Sequence, residues 1–275
     1  MDAGECGIPV CVLVTTKNEE ANIARCLDSV RGFSYVAVID SYSNDRTCVI
    51  AREMGANLIS YQWDGTYPKK RQWCVDAVDL PYDWVLWLDA DEELTPGIIN
   101  EIRCLFRDGA PNRCGYFIRG QYVIDGVVLK YGLRNNKIAL MDRRKMAFPV
   151  IDDLDIEGMG EIEGHYQPVL KDGVSGKVGQ VMSPLYHYAY DDSQAWIARH
   201  ERYARWEAGM NLRNSWPRDP IWWREKGKWV LRRSVFRPYI VFLYAYVFRC
   251  GFLDGRAGLL MAKSRFDYCR MILQK

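Results

Sequence analysis

The segment Trp84-Val85-Leu86-Trp87-Leu88-Asp89-Ala90-Asp91-Glu92-Glu93 sets five apolar residues directly before an acidic stretch. An apolar run without alternation is typical of a strand that is buried on both faces of a sheet. Thr95 and Pro96 then have the residue types of an N-cap and a first helical position. A buried strand that passes through a polar turn into a helix is the repeating unit of a parallel α/β sheet.

The rest of the amino-terminal half repeats this unit. Asn18 is a predicted N-cap, with Glu19 and Glu20 in the first helical turn, where acidic residues are favourable. One further helix is predicted to stop at Gly55, and another to cover residues 69–78. Further strands are predicted at 9–15, 35–40, 57–61, 116–124 and 127–131. The pattern predicts an α/β fold with a Rossmann-like, mostly parallel central sheet flanked by helices.

Polar residues end three of the predicted strands: Thr15, Asp40 and Asp89. Because ligands bind at the carboxyl ends of parallel strands, these three residues are expected to share one site. Asp40 can bind a nucleotide base or ribose, or it can cap its own turn through Ser43. Glu19 can accept hydrogen bonds from ribose hydroxyls, and the stretch from Thr15 to Glu19 can equally be a plain strand-to-helix turn.

Asp89 and Asp91 are two residues apart, so in an extended chain both side chains face the same way. Two carboxylates suit Mg²⁺ or Mn²⁺, which also take phosphate oxygens as ligands. An isolated pair of this kind would more often be an acidic turn at a helix start. Its position after a buried strand, at the expected ligand edge, favours a metal site.

Three consecutive basic residues stand at the start of a predicted helix: Lys69, Lys70 and Arg71. Arg71 is the candidate for a phosphate contact, because its planar guanidinium carries a fork of donors. The two lysines can simply face solvent, as charged runs usually do.

Glu161 and Glu163 alternate onto one face if their segment is extended. Either carboxylate could act as a general base, and both could instead belong to a solvated acidic loop. His165 is a candidate third metal ligand or a hydrogen-bonded loop histidine. His187 lies among aromatic residues. This setting favours a structural role, or a role in lining the site of a second, acceptor substrate.

The overall composition excludes several classes of protein. A net charge of +2 excludes a strongly basic nucleic-acid binder, so no nucleic-acid partner is predicted. None of the nine cysteines forms a CxxC pair, which removes support for zinc-ribbon and thioredoxin-like sites. Met1–Pro9 lacks the apolar core of a secretory signal, and no apolar run reaches the ~20 residues that span a bilayer. A cytoplasmic protein is expected.

The carboxy-terminal part is predicted to be helical and rich in aromatic residues, since six of the ten tryptophans lie between Trp196 and Trp229. We expect a catalytic domain over 1–190 and a helical extension over 191–275, close to the acceptor and the membrane. The apolar stretch Pro238–Phe248 is flanked by arginines and suits the interface of a membrane. It could equally be a buried helix or an oligomer contact.

Four ordered motifs resemble those of family 2 glycosyltransferases, within the branch typified by lipopolysaccharide core β-1,4-glucosyltransferases. The similarity covers most of the chain and is strongest over residues 9–106. The motifs are Val14-Thr15-Thr16-Lys17-Asn18-Glu19-Glu20-Ala21-Asn22-Ile23, Val38-Ile39-Asp40-Ser41, Trp84-Val85-Leu86-Trp87-Leu88-Asp89-Ala90-Asp91-Glu92 and Gly251-Phe252-Leu253-Asp254-Gly255-Arg256-Ala257-Gly258.

The resemblance implies a GT-A fold and a metal-dependent, inverting transfer of glucose or another hexose from a nucleotide-diphosphate donor, such as a UDP-hexose. The implied acceptor is a saccharide hydroxyl of a lipopolysaccharide-core or lipid-linked glycan at the inner face of the cytoplasmic membrane. Thr15, Glu19 and Asp40 would lie at the nucleoside, Asp89 at the ribose or metal, and Asp91 on the metal.

Three positions depart from the family pattern, and two of them, Tyr42 and the segment 161–166, concern base recognition and catalysis. Tyr42 stands where relatives often have glycine, and Arg71 where they often have lysine. Glu161-Ile162-Glu163-Gly164-His165-Tyr166 stands in place of a Val-His-Glu segment, which leaves the catalytic base open between the two glutamates.

Two other functions are compatible with an α/β sheet that carries acidic residues. A sugar nucleotidyltransferase would be expected to have a glycine-rich basic loop after the first strand, where this chain has Thr15-Thr16-Lys17-Asn18-Glu19-Glu20. A catalytically inactive, membrane-docked scaffold is the second alternative, and the intact pair of Asp89 and Asp91 argues against it.

Overall fold

The computed structural model describes residues 7–163, 166–188, 193–217 and 222–275. Within these ranges the chain forms twelve strands and eight α-helices. The strands are β1 Ile8–Thr16, β2 Phe33–Asp40, β3 Asn57–Ser60, β4 Trp84–Asp89, β5 Glu92–Leu94, β6 Gly115–Ile124, β7 Val127–Val128, β8 Asn135–Asp142, β9 Met146–Ala147, β10 Val169–Leu170, β11 Val178–Gln180 and β12 Leu185–His187. The helices are α1 Ile23–Ser29, α2 Thr47–Glu53, α3 Lys70–Ala77, α4 Pro96–Leu105, α5 Ser193–Arg213, α6 Trp222–Arg233, α7 Arg237–Leu243 and α8 Gly255–Leu273.

The main sheet runs in the order β3-β2-β1-β4-β8-β6-β12-β5. The first four strands in this order are parallel, whereas β8 is antiparallel to both β4 and β6. Strand β12 lies between β6 and the edge strand β5, parallel to β6 and antiparallel to β5. The predicted α/β fold is confirmed, with a parallel first half and a mixed second half.

The central strands are buried on both faces, as their apolar runs predict. Along β1, Val12 and Val14 pack into one hydrophobic cluster, and Leu13 packs into a second cluster on the opposite face. Because both faces are covered, the carboxyl end of the sheet is where polar side chains can reach solvent. The pairing of β1 with β4 places Thr15 beside Asp89 at that end.

The predicted start of the first helix at Asn18 is wrong. Asn18 has a left-handed backbone with φ 57°, and α1 begins only at Ile23. The N–H groups of Glu19 and Glu20 instead bond to Thr47 Oγ1 and Asp45 Oδ2 across the sheet edge. These loop-to-loop hydrogen bonds replace the local helical bonds that the sequence suggested.

Other local predictions are confirmed or shortened. Thr95 caps α4, accepting a hydrogen bond from the backbone N–H of Ile98, and Gly55 follows α2 with φ 80°. The predicted strand over residues 127–131 is limited to β7, because the backbone N–H groups of Lys130 and Tyr131 donate to the carboxylate of Asp254 and not to a neighbouring strand.

The carboxy-terminal helices α5, α7 and α8 pack on one another, with α8 in contact with both of the others. A π-helical turn at Tyr244–Phe248 and a 3₁₀ turn at Gly251–Asp254 connect α7 to α8. Within the described ranges, no helix combines the length and apolar character needed to cross a membrane.

Candidate active site

A cavity of about 1180 Å³ opens at the carboxyl ends of β1 and β4. One side is lined by Thr15, Glu19 and Asp89, and the segment 157–163 forms a second side. Helices α5, α7 and α8 form a third side, mainly through basic and aromatic side chains. A cleft of this size at the strand ends of an α/β sheet is the expected position of a binding site.

Asp89 lies at the centre of a hydrogen-bonded cluster. Its Oδ1 accepts hydrogen bonds from Arg71 Nη2 at 2.7 Å and from Thr15 Oγ1 at 3.1 Å. Its Oδ2 is 2.9 Å from Lys137 Nζ, which also lies 2.6 Å from Glu92 Oε2. Burial alone would raise the pKa of Asp89, but Lys137 and Arg71 hold it well below its usual range. Asp89 is therefore a fixed anion whose oxygens are already engaged.

Asp91 faces the same cavity with different partners. Its Oδ2 lies 3.4 Å from Nε2 of His187 on β12 and 3.6 Å from Nη1 of Arg199 on α5. Burial, the largest single effect, opposes a charged imidazole, but Asp91 and Glu92 together outweigh it and raise the pKa of His187 to about 9. Tyr122 stacks on the same imidazole, with ring centroids 5.1 Å apart.

Asp91 and His187 fit a divalent cation as two of its ligands, on condition that the cation displaces the proton of the imidazole, because a ligating histidine is neutral. Two neighbouring ligands of one small cation, each about 2.0–2.2 Å from it, lie roughly 3–3.5 Å apart, and the 3.4 Å separation of Oδ2 and Nε2 is within that range. No group of three His, Cys, Asp or Glu side chains in the described part of the chain could hold an ion by itself. The remaining ligands would have to come from a bound phosphate or water.

Glu163 and Glu161 differ sharply in environment. Glu163 is buried, and its Oε1 accepts a hydrogen bond from the backbone N–H of Gln72 at 3.0 Å. Burial raises the pKa of Glu163, although Arg71 acts in the opposite direction. Glu161 is instead paired with Lys70 Nζ at 2.8 Å. Burial and a raised pKa are properties that general bases often have, and Glu163 combines them with a place in the lining of the cavity.

The segment that carries both glutamates is fixed to the start of α3. Lys69 Nζ lies 2.7 Å from Asp153 Oδ2, and both side chains are almost fully buried. Trp206 Nε1 and the Tyr67 hydroxyl also donate to the Asp153 carboxylate. Lys69 and Lys70 therefore do not face solvent, contrary to the sequence-based alternative, but hold residues 153–163 against the cavity.

The other sequence-predicted site residues are distributed as follows. Glu19 lines the cavity, and burial followed by the nearby Asp91 raises its pKa. Asp40 is buried, and its oxygens accept from Thr16 Oγ1 and from Ser43 N and Oγ. Its carboxylate thus has the turn-capping role, and contact with a nucleoside stays a prediction. His165 lies outside the described residues.

Sequence reasoning missed Lys137 and Arg199 as members of the site, included Glu92 only as part of the acidic motif, and gave His187 a structural or acceptor-lining role. Lys137 is the one basic residue in β8, next to the apolar run from Ile138 to Met141. A single lysine beside an apolar run in a strand is a signal by which the sequence could have identified Lys137 as a site residue. Arg199 and His187 reach the cavity from elements that are distant in sequence, so no local pattern marks them.

Three comparisons with known proteins bear on this site. The model named Glycosyl transferase family 2 matches residues 11–145. An uncharacterized glycosyltransferase of Rickettsia typhi is 25% identical over 300 aligned positions, covering 97% of this chain and 96% of the relative. An uncharacterized glycosyltransferase of Rickettsia felis is 39% identical over 101 residues. The aligned part covers 35% of this chain and 34% of the relative.

A solved structure is similar over almost the whole chain. It is a mannosyltransferase from Pyrobaculum calidifontis in complex with GDP-Man and Mn²⁺, with a TM-score of 0.50 and 14% identity. The similarity covers 98% of this chain and 87% of the other. At this level of identity the likeness shows a shared GT-A fold.

Proposed function

The chain belongs, through residues 11–145, to glycosyl transferase family 2, and we propose that it transfers a hexose from a nucleotide-diphosphate donor with inversion at the anomeric carbon. The single observation that carries this proposal is the pair of Asp91 and His187, which lie 3.4 Å apart and line the strand-end cavity. Beside the pair stand Arg71 and Lys137, which are cations suited to a diphosphate.

Donor binding is proposed to use both charge types in the cavity. Thr15 and Glu19 line the part next to β1, where a nucleoside would lie, and Asp40 supports that loop from beneath. Asp91 and His187 would hold Mg²⁺ or Mn²⁺, which when bound neutralises charge on the departing diphosphate. The donor is proposed to be a UDP-hexose, in keeping with the resemblance of the motifs.

Glu163 is proposed as the general base. As the acceptor hydroxyl oxygen forms a bond to the anomeric carbon, the bond from that carbon to the diphosphate breaks, and Glu163 takes the hydroxyl proton. Its raised pKa brings the carboxylate closer to the operating pH, where a base is most effective. Glu161, neutralised by Lys70, is proposed to support the segment and not to take the proton.

The acceptor is proposed to be a saccharide hydroxyl of a lipid-linked or lipopolysaccharide-core glycan, reached at the inner face of the cytoplasmic membrane. Helices from residues 191–275 would form the acceptor side of the cavity. Support comes from a row of exposed apolar side chains, here called the C-terminal apolar surface: Phe236, Tyr239, Leu243, Tyr244, Phe248 and Leu253. The exposed arginines Arg233, Arg249 and Arg256 flank it and complement anionic lipid headgroups.

Vesicle flotation tests this membrane contact. Phe248→Asp is expected to reduce the bound fraction on vesicles that contain phosphatidylglycerol, because Phe248 is 76% exposed within the surface. Met182→Asp, at a similarly exposed apolar residue between β11 and β12, is the matched control. Equal binding of wild type and both variants would contradict membrane docking.

Nucleotide release separates this function from the alternatives. Purified protein is incubated with UDP-glucose or GDP-mannose, with Mn²⁺ or with EDTA, and free sugar and nucleotide are quantified. The proposed function predicts metal-dependent release of UDP or GDP. A nucleotidyltransferase would instead form the nucleoside triphosphate and sugar 1-phosphate in the presence of pyrophosphate, and an inactive scaffold would release neither product.

A further inference from the structure

Tyr42 has an unusual backbone conformation for its side chain. Its φ is 56°, in the left-handed region that favours glycine. In the described part of the chain, five residues other than glycine have a positive φ, and three of these are Asn or Asp, which tolerate this conformation. Tyr42 has the bulkiest side chain of the five, so the conformation is sterically unfavourable there.

The turn after β2 imposes this conformation. The backbone N–H of Ser43 donates to Asp40 Oδ2 at 2.8 Å, and Ser43 Oγ donates to Asp40 Oδ1 at 2.5 Å. Tyr42 lies between the two bonded residues, and a glycine would adopt the same positive φ without a steric cost. The turn therefore accounts for the backbone of residue 42 but not for its aromatic ring.

Packing does not account for the ring either. Tyr42 is 64% exposed. Its hydroxyl lies 3.5 Å from Gln62 Oε1, well beyond the usual distance of about 2.8 Å for a hydrogen bond between two oxygen atoms. Sterically unfavourable backbone conformations cluster at ligand sites, where binding uses the side chain that they present. An exposed aromatic ring on such a backbone therefore indicates contact with a ligand.

Tyr42 stands beside the rim of the strand-end cavity. On one side, Asn18 lines the cavity and donates its backbone N–H to Ser43 Oγ at 2.8 Å. On the other side, Gln62 directly precedes Trp63, which also lines the cavity. The side chain of Tyr42 thus extends from the end of β2 to the end of β3, between two segments that line the cavity.

The order of the strands determines which part of the donor reaches this rim. The cations proposed for the diphosphate, Arg71 and Lys137, contact Asp89 at the end of β4. The sheet continues from β4 through β1 and β2 to β3, with neighbouring strands about 4.8 Å apart. A nucleoside that extends from this diphosphate past Thr15 on β1 would have its base at the ends of β2 and β3.

We infer that Tyr42 binds the donor by stacking on its nucleobase. The ring offers a flat apolar face, and stacking on such a face contributes to binding for every base, because each base has a π-face of its own. Tyr42 therefore adds affinity for the nucleotide without selecting between uracil and guanine. The inference rests on the proposed function and names a further residue that binds its donor.

Isothermal titration calorimetry in the presence of Mn²⁺ tests the inference with three probes: UDP, GDP and pyrophosphate. Tyr42→Gly is expected to weaken the binding of UDP and of GDP at least about fivefold, because it removes the stacking contact. The binding of pyrophosphate, which has no base, should be unchanged. Tyr42→Phe keeps the ring and should bind all three probes as the wild type does.

Three results would overturn the inference. The first is equal affinity of wild type and Tyr42→Gly for both nucleotides. The second is a loss of affinity that pyrophosphate shares, since this would show a disturbed site and not a lost contact with the base. The third is a wild type that binds UDP and GDP no more tightly than pyrophosphate.

Two further measurements separate binding from folding. Tyr42→Gly should not lower the midpoint of thermal unfolding, because glycine adopts a positive φ readily. It should raise the KM for the donor and leave kcat unchanged, since a stacked base is bound equally in the ground state and in the transition state. Tyr131→Gly, at an exposed tyrosine outside the lining of the cavity, is the matched control and should bind the nucleotides as the wild type does.

This inference and the proposed function can fail separately. A protein that binds nucleotides through Tyr42 but releases none from a nucleotide sugar with Mn²⁺ would lose the proposed transfer and keep this contact. A protein that transfers sugar with the same donor KM in wild type and in Tyr42→Gly would keep the proposed function and lose this contact.

Discussion

The ammonium group of Lys137 lies 2.9 Å from Oδ2 of Asp89 and joins strand β8 to the end of β4. The same ammonium is 2.6 Å from Glu92 Oε2, whose carboxylate also accepts from the backbone N–H of Asp89. Three carboxylates, at positions 89, 91 and 92, crowd this turn. Lys137 and Arg71 are what allow Asp89 and Glu92 to remain close together.

Lys137→Met is therefore expected to lower the free energy of unfolding by about 3–5 kcal/mol, because it leaves the fully buried carboxylate of Glu92 without its cation. Lys137→Arg keeps the charge and should retain most of the stability. Urea denaturation of wild type and of the two variants measures their free energies of unfolding. A methionine variant as stable as wild type would show that the cluster contributes nothing to folding.

Asp91→Asn is expected to reduce metal-dependent sugar release by at least about a hundredfold, since stabilisation of the leaving diphosphate by a cation is worth several kcal/mol. The fold should persist, because asparagine has nearly the same shape and its amide oxygen can still accept from Arg199. Calorimetric Mn²⁺ binding in the presence of UDP provides a second measurement. Glu93→Gln, two residues away and bonded to Tyr188 instead, is the matched control.

Glu163→Gln is expected to lower the transfer rate by about 10²–10⁴-fold, which is the usual contribution of a general base. The amide oxygen can still accept from Gln72, so the backbone should not move. Glu161→Gln, which removes the partner of Lys70, should cost far less in rate. Similar mild losses in the two variants would place the base elsewhere.

The pH dependence of kcat/KM is expected to report Glu163 as well. A base works when deprotonated, so the rate falls as pH is lowered through its pKa. Because burial raises that pKa, the midpoint of the acidic limb should lie above 4.5, the ordinary value for a glutamate. In Glu163→Gln the residual activity should lose this limb; an unchanged acidic midpoint would contradict the assignment.

Asp153→Ala is expected to destabilise the protein by about 3–5 kcal/mol, because it leaves Lys69 charged and buried. It also removes the acceptor for Trp206 and Tyr67. Asp155→Ala, which breaks an exposed pair with Arg213, should leave the unfolding midpoint unchanged and serves as the control. Equal midpoints for the two variants would exclude a structural role for the Lys69 pair.

The fold and the strand-end residues could be predicted because their signals are local. The apolar run before Asp89 gives a buried strand, and the parallel-sheet rule then places Thr15 beside it, as the observed pairing confirms. The N-cap at Thr95 could be predicted from the sequence in the same way. In each case a few consecutive residues carry the whole argument.

The predictions that failed, or that could not be made, depend on contacts between residues far apart in the sequence. At Asn18 the helix-start pattern was present, but Thr47 and Asp45 compete for the backbone N–H groups from 25–28 residues away. The partners of Asp89 and Asp91 come from β8, β12 and α5, and no spacing in the sequence reveals these approaches. The distinction between Glu161 and Glu163 likewise depends on which one α3 neutralises.

The short strand β12 has a consequence for how this chain can vary in length. His187 is aligned with Glu92 on one neighbouring strand and with Tyr122 on the other. Because side chains alternate along a strand, a shift of one residue would turn the imidazole to the opposite face of the sheet. An insertion or deletion of one residue just before Leu185 could therefore keep every backbone hydrogen bond and still separate His187 from Asp91. The proposed role of His187, the last residue of β12, therefore constrains the length of the loop before this strand.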